Sequence, residues 1–184
     1  MHADRRPTVI GLAAFAGLFA IAPAVAGQHE EHAGHVSEYA GQEAGEIPSM
    51  SAAELEDLRS GAGMGLARAA ELNRFPGPKH VLELGDELGL TDDQRAEVTS
   101  IHAEMSRGAQ AIGARIIEAE RELDMRFRHR HIDETELATA LDAIAELRGD
   151  LRFVHLRAHL RTTRVLSVDQ IEAYDELRGY SGPG

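Results

Sequence analysis

From Asp92 to about His129 the chain runs without a proline, and Val98, Ile101, Met105, Ala109, Ile112, Ile116, Ala119, Leu123 and Phe127 recur at steps of three or four. Apolar positions at that spacing dictate an amphipathic α-helix, because a strand would throw alternate members to opposite faces. At 1.5 Å per residue the helix is about 55 Å long, more than a small core can enclose. It needs a partner of similar length. The next stretch supplies one: after the polar turn RHRHI, Leu137, Ala140, Leu141, Ile144, Leu147, Leu151, Val154 and Ala158 form a second stripe. Two complementary stripes joined by a short turn predict an antiparallel hairpin. With Phe127 opposite Leu137, facing residues carry numbers adding to about 264, at 1.5 Å of rise on each strand of the pair.

Each long helix is announced by its first turn. In LTDDQ, Thr91 is placed to accept from the backbone N–H of Gln94, while the Gln94 side chain reaches back to the Thr91 N–H. Near the C-terminus LSVDQ repeats the arrangement with Ser167 and Gln170, flanked by Leu166, and predicts a last helix over about 168–177. Asp133 with Glu136 and Ser51 with Glu54 are two more capping boxes, the latter with Met50 stapled to Leu55. Shorter helices are expected from Ala52 to about Ser60, from about Met64 to Asn73, and from Lys79 to Leu88 after the FPGP break. Gly61, Gly63 and Gly65 read as a hinge or a close-packing site. With no cysteine, no tryptophan and few aromatics, the core must be built from aliphatic side chains, which favours helices.

The N-terminus has a different texture. Arg5 and Arg6 precede an apolar block ending in Ala24-Val25-Ala26, the layout of a cleaved signal peptide over 1–26, so the mature chain is expected in the periplasm. Residues 27–50 hold five acidic residues, three histidines and no Lys or Arg, and are expected to form a flexible acidic tail ahead of a helical domain over 51–180. Removing Asp4, Arg5 and Arg6 from 31 acidic and 19 basic residues leaves 30 and 17, an excess of negative charge that argues against nucleic acid as a partner.

Two copies of an LTxxQ-type motif, at Leu90, Thr91 and Gln94 and again at Leu166, Ser167 and Gln170, one opening a helical hairpin and one opening the last helix, sit behind a signal peptide in a small cysteine-free chain. In this the chain resembles the Spy/CpxP family of bacterial periplasmic proteins, with its heavy-metal-resistance relatives of the ZraP and CnrX kind. The segment GMGLARAAELNRFPGPKHVLELGDELGLTDDQ is similar to the lead-in of one branch. The resemblance implies an all-helical, cradle-like homodimer. It also implies a role in envelope stress: with its arginine-flanked apolar face the chain is expected to hold partly unfolded envelope proteins without ATP, the alternative being binding of zinc, nickel or cobalt as a sensor or resistance protein, and restraint of a sensor kinase a third role that residues do not reveal. A strongly acidic chain departs from the basic concave face of the chaperone members.

Two surfaces carry candidate chemistry. On the second long helix Phe153, Leu156 and Leu160 fall opposite the main stripe, beside Arg152, Arg157 and Arg161. Such a face would draw an acidic, partly unfolded client and then touch its apolar groups, or else its arginines pair with neighbouring acids and its apolar trio is an interface. The second is histidine. His29, His32 and His35 lie three apart among carboxylates, a pattern suited to divalent ions, or are incidental residues of a solvated tail. In the hairpin register His102 and Met105 fall near His155 and His159 on one edge, a candidate metal set unless they are half-buried histidines bonded to nearby acids or backbone. No Cys nucleophile, GxSxG or HExxH is present, so catalysis is not expected and no cofactor is required.

Overall fold

In a computed structural model of the chain the described residues are 36–180, nearly all of them in the compact unit Glu38–Gly184. The expected signal peptide over 1–26 and His29, His32 and His35 lie outside the described residues. Within them the fold is all-helical: α1 (Ala52–Ser60), α2 (Arg68–Glu71), α3 (Pro78–Glu83), α4 (Asp92–Arg128), α5 (Glu134–Val165) and α6 (Val168–Arg178). All four capping boxes form, at Ser51/Glu54, Thr91/Gln94, Asp133/Glu136 and Ser167/Gln170. No helix among the described residues is long and apolar enough to cross a membrane.

Helices α4 and α5 pack against each other as the hairpin. Arg148 bonds Glu120 at 2.6 Å, Arg157 and Arg161 reach Glu104 at 3.2 and 2.5 Å, and a Cβ at Gly108 would meet Val154. All lie within about a turn of the expected register. The two short helices differ from expectation. Instead of 64–73, α2 spans only Arg68–Glu71, because Met64 and Gly65 both take positive φ and turn the chain. Instead of 79–88, α3 ends at Glu83, and a turn carries the chain through Gly85 to Gly89.

The core divides in two along the hairpin. One cluster joins Ile47, Met50, Leu55 and Leu58 to Ala109, Ile116, Ile117, Leu147 and Leu151. The other joins Val81, Leu88 and Val98 to Leu166 and Tyr174. In the first, α1 lies so close on α4 at Gly113 that any Cβ there would run into the Leu58 carbonyl. Ile47 and Met50 are buried in this cluster and Glu46 bonds both Arg59 and Arg121. Composition predicts a tail here, and composition cannot register one well-placed isoleucine. At the hairpin tip nothing covers the pair, so Phe127 and Leu141 from the predicted stripes remain about half exposed.

The two LTxxQ-type motifs meet. Gln94 Nε2 donates to Gln170 Oε1 at 2.8 Å and Gln170 Nε2 donates to Gln94 Oε1 at 3.0 Å. Each amide also keeps its own capping bond, and each reaches the other segment's backbone, Gln94 at Val165 O and Gln170 at Leu88 O and Gly89 O. A Glu at either position would cap equally well but has no hydrogen to donate. The exposed boxes of α1 and α5 do carry Glu; the two that face each other carry Gln.

Candidate functional site

Between the two apolar clusters the hairpin carries a gap. On α4 it falls between Val98 and Ala109, and on α5 it runs from Leu151 to Leu166 just past the helix end; beside buried Ile101 and Ala158 these intervals hold His102, Met105, His155 and His159. All four line one cavity of about 850 Å³, together with the glycine-rich stretch after α1, Glu71, Gly77, His80, Arg178 and Tyr180. The helical wheel thus brings together the residues chosen from the register. It understates their burial: His155 and His159 are 3% and 8% exposed rather than half-wet edge residues, and the Phe75 carbonyl and Gly77 lie against the His159 ring.

The two buried imidazoles differ. His159 Nδ1 stands 2.7 Å from the Phe75 carbonyl. A carbonyl only accepts, so Nδ1 carries a hydrogen. The ring lies so close to the backbone at Gly77 that a Cβ there would come within 2.8 Å of Cε1 and 3.0 Å of Nε2. His155 has no such anchor, and its Nε2 is buried without a hydrogen-bond partner. Burial, with a smaller contribution from neighbouring His159, holds its pKa below the usual histidine value. It is therefore neutral at physiological pH, the form that binds metals. Among the described residues no group of three or more His, Asp or Glu side chains is disposed to hold a metal ion as arranged.

Glu71 was not singled out from the sequence. Its Oε2 is 3.4 Å from His159 Nδ1, and its Oε1 accepts from the Tyr174 hydroxyl and from the Tyr180 hydroxyl at 3.3 Å, with Arg178 3.8 Å away. Burial first, and then the Glu71 carboxylate, push the Tyr174 hydroxyl far above its ordinary pKa. Nothing local marks Glu71, one glutamate in a short helix. Its tyrosine partners are two of only three in the chain, which is a faint signal that was available. His80, also in the lining, bonds Glu83 at 2.7 Å.

The arginine-flanked face is where the helical wheel puts it. Phe153 and Leu160 are 59% and 46% exposed, and Leu156 is half-buried. Its charge is partly spent: Arg157 and Arg161 converge on Glu104, whose pKa they lower, chiefly through the Arg161 hydrogen bond. Arg157 also stacks over Phe153, 5.5 Å from the ring centre, while Arg152 is exposed beside Met64 and Leu72.

Comparison with curated proteins and with solved structures returns no match in either set. A family model described as heavy-metal resistance matches residues 60–173, which take in the α2–α3 connection, the whole hairpin and the second capping motif. That span is more than half of the chain, and the protein belongs to the heavy-metal-resistance family, which covers the Spy/CpxP/ZraP-like helical periplasmic proteins with LTxxQ motifs.

Proposed function

We propose that the protein is a periplasmic metal-binding member of this family that takes up a borderline divalent ion, zinc, nickel or cobalt, in the histidine cavity. The observation that carries this reading is His155 Nε2, a buried nitrogen with no hydrogen-bond partner. Leaving such a group unpaired costs about 1–3 kcal/mol, which an ion bound to it would recover. His159 adds a second nitrogen one helical turn away, and His102 and Met105 line the same cavity from α4. Imidazole and thioether donors suit borderline ions over magnesium or calcium, which prefer oxygen. The ion would supply positive charge to an acidic chain and cross-link α4 to α5 between their two cores.

The test is calorimetric titration of the processed protein with each ion, with His29, His32 and His35 all replaced by Ala so that they add no heat. His155→Ala is expected to weaken binding by at least about tenfold, about 1.4 kcal/mol. An unchanged affinity in His155→Ala, or no binding by the parent, would sink the reading.

Exposed Phe153 and Leu160 favour a second one: an ATP-independent holder of partly unfolded envelope proteins, acting as a homodimer. Suppression of aggregation of a reduced model client, abolished in a Phe153→Ser/Leu160→Ser variant with unaltered helicity, would support it. No suppression at a tenfold excess, on the order of what a weak holdase requires, would remove it. A restraining contact with a sensor kinase would be a third use of the same face.

A further inference from the structure

The histidine cavity is far larger than one ion. At about 850 Å³ it falls among the pockets that enclose whole small molecules, about 300–1,000 Å³. An ion at His155 would account for one buried nitrogen and leave the rest of that volume without a use. The walls are of two kinds. Buried or half-buried Met105, His102, His155 and His159 offer a thioether and imidazoles, and burial keeps His155 neutral. At the opening, exposed Arg68 and Lys79 stand with Met64 and Leu72, which are 40% and 63% exposed.

Charge in this cavity runs against that of the chain. The sequence holds 31 acidic and 19 basic residues, yet the described lining has three cations, Arg68, Lys79 and Arg178, and one carboxylate, Glu71. Glu71 is already engaged: its Oε1 accepts from the Tyr174 and Tyr180 hydroxyls and lies 3.8 Å from Arg178. Lys79 is loosely paired, 3.9 Å from Glu83. Arg68 forms no ion pair with any described residue, and a Cβ at Gly65 would lie 3.6 Å from its Nη2. Met64, next to that glycine, holds φ 43°, a left-handed conformation that costs a side chain of its size free energy and is often kept where a ligand is clamped.

We propose that this cavity binds a small organic carboxylate with an apolar body, its anionic head on Arg68 at the opening and its hydrocarbon against Met64, Leu72 and Met105. A guanidinium meets a carboxylate with two parallel N–H donors, and Lys79 adds a second cation at the same opening. Methionine side chains adapt to varied apolar shapes, so the walls select for an apolar body of suitable length rather than for one outline. An acidic surface repels such anions elsewhere, which confines their binding to this locally cationic opening. None of this needs a metal ion.

The experiment titrates sodium octanoate into the processed protein by calorimetry, with EDTA present so that no metal ion contributes, beside hexanoate, decanoate and 1-octanol. Expected is one saturable site with a Kd below about 1 mM, tightening about two- to fourfold for each added methylene, fourfold being the yield of one fully buried CH2. Uncharged octanol is expected to bind at least about fivefold more weakly than octanoate. Arg68→Gln is expected to lose about five- to tenfold for every acid while keeping the dependence on chain length. Leu72→Glu, which sets a carboxylate at the opening, is expected to weaken binding in the same direction. Both positions are exposed, so both variants are expected to keep the helicity of the parent, and either one decides if the other misfolds. No saturable octanoate binding, octanol binding as tightly as octanoate, or both variants within about twofold of the parent overturns the inference. Zinc titration of the same protein without EDTA separates the two ligands of this cavity: octanoate binding without zinc binding removes the metal site alone, and zinc binding without octanoate binding removes the carboxylate site alone.

Discussion

Replacing Gln94 by Glu isolates the clasp between the two motifs from ordinary helix capping. Glutamate is isosteric with glutamine and is itself the usual capping-box residue, as Glu54 and Glu136 demonstrate in this chain. The Thr91 N–H therefore keeps its acceptor. What disappears is the pair of hydrogens now given to Val165 O at 2.9 Å and to Gln170 Oε1 at 2.8 Å, and those two acceptors then face a carboxylate in a partly buried seam. Two lost hydrogen bonds at about 1 kcal/mol each, plus repulsion between oxygens, less the gain of Gln170 Nε2 donating to a charged partner, leave a net cost of about 2 kcal/mol. Thr91→Ala, which removes only a cap, costs about 1 kcal/mol. Urea denaturation at pH 7 followed by circular dichroism measures both. In a double-mutant cycle with Gln170→Glu, two carboxylates meet, and the double variant is expected to lose at least about 1 kcal/mol more than the sum of the singles. That excess shrinks near pH 4, where a protonated carboxyl can donate again. Gln94→Glu costing under about 0.5 kcal/mol, or additivity in the cycle, would show that each motif caps its own helix and nothing more.

Three further outcomes follow from the packing. Ile47→Ala should destabilise the fold by about 2–4 kcal/mol, since the side chain is 1% exposed in the core; a loss under about 0.5 kcal/mol by chemical denaturation would return residues 36–50 to the status of a tail. Gly113→Ala should destabilise by about 1–3 kcal/mol despite the better helix propensity of alanine, because the added methyl meets the Leu58 carbonyl; higher stability in the same assay would mean that α1 shifts freely. For pH, His155 has a folded pKa below its unfolded value. The unfolded chain then takes up the proton first, so this residue's contribution is complete above about pH 6.5 and is lost as pH falls from there toward the folded pKa, at up to about 1.4 kcal/mol per pH unit. Denaturation midpoints of the parent and of His155→Gln, compared from pH 7.5 to 5, should diverge at neutral pH and converge on acidification; parallel curves would contradict the assignment.

Much of this molecule was legible in one dimension. The stripes of α4 and α5 and their turn determine a hairpin and its register, and hence that Met105 lies near His159 and Glu104 near Arg157 and Arg161. The capping signatures place the start of α1, α4, α5 and α6 to the residue, because a cap is an interaction between neighbours three apart. Of the short helices α1 has the expected span, whereas α2 is shorter than its residues suggest because a glycine-flanked turn at Met64 and Gly65 outweighs propensity over only a few residues. Ile47 was misjudged because burial of a single side chain leaves no periodic trace.

What the sequence alone determined, then, is the set of helices, their first turns, and which face of each long helix meets the other, since all of these follow from spacings within one or two turns. Only the tertiary structure decided that Gln94 and Gln170 grip each other, that the Phe75 carbonyl and Gly77 lie against the His159 ring, and that Glu71 joins α2 to Tyr174, Tyr180 and Arg178. Those contacts join residues 76 to 109 positions apart. Their existence depends on where the hairpin returns α6 in space, a matter of packing that no local pattern of residues encodes.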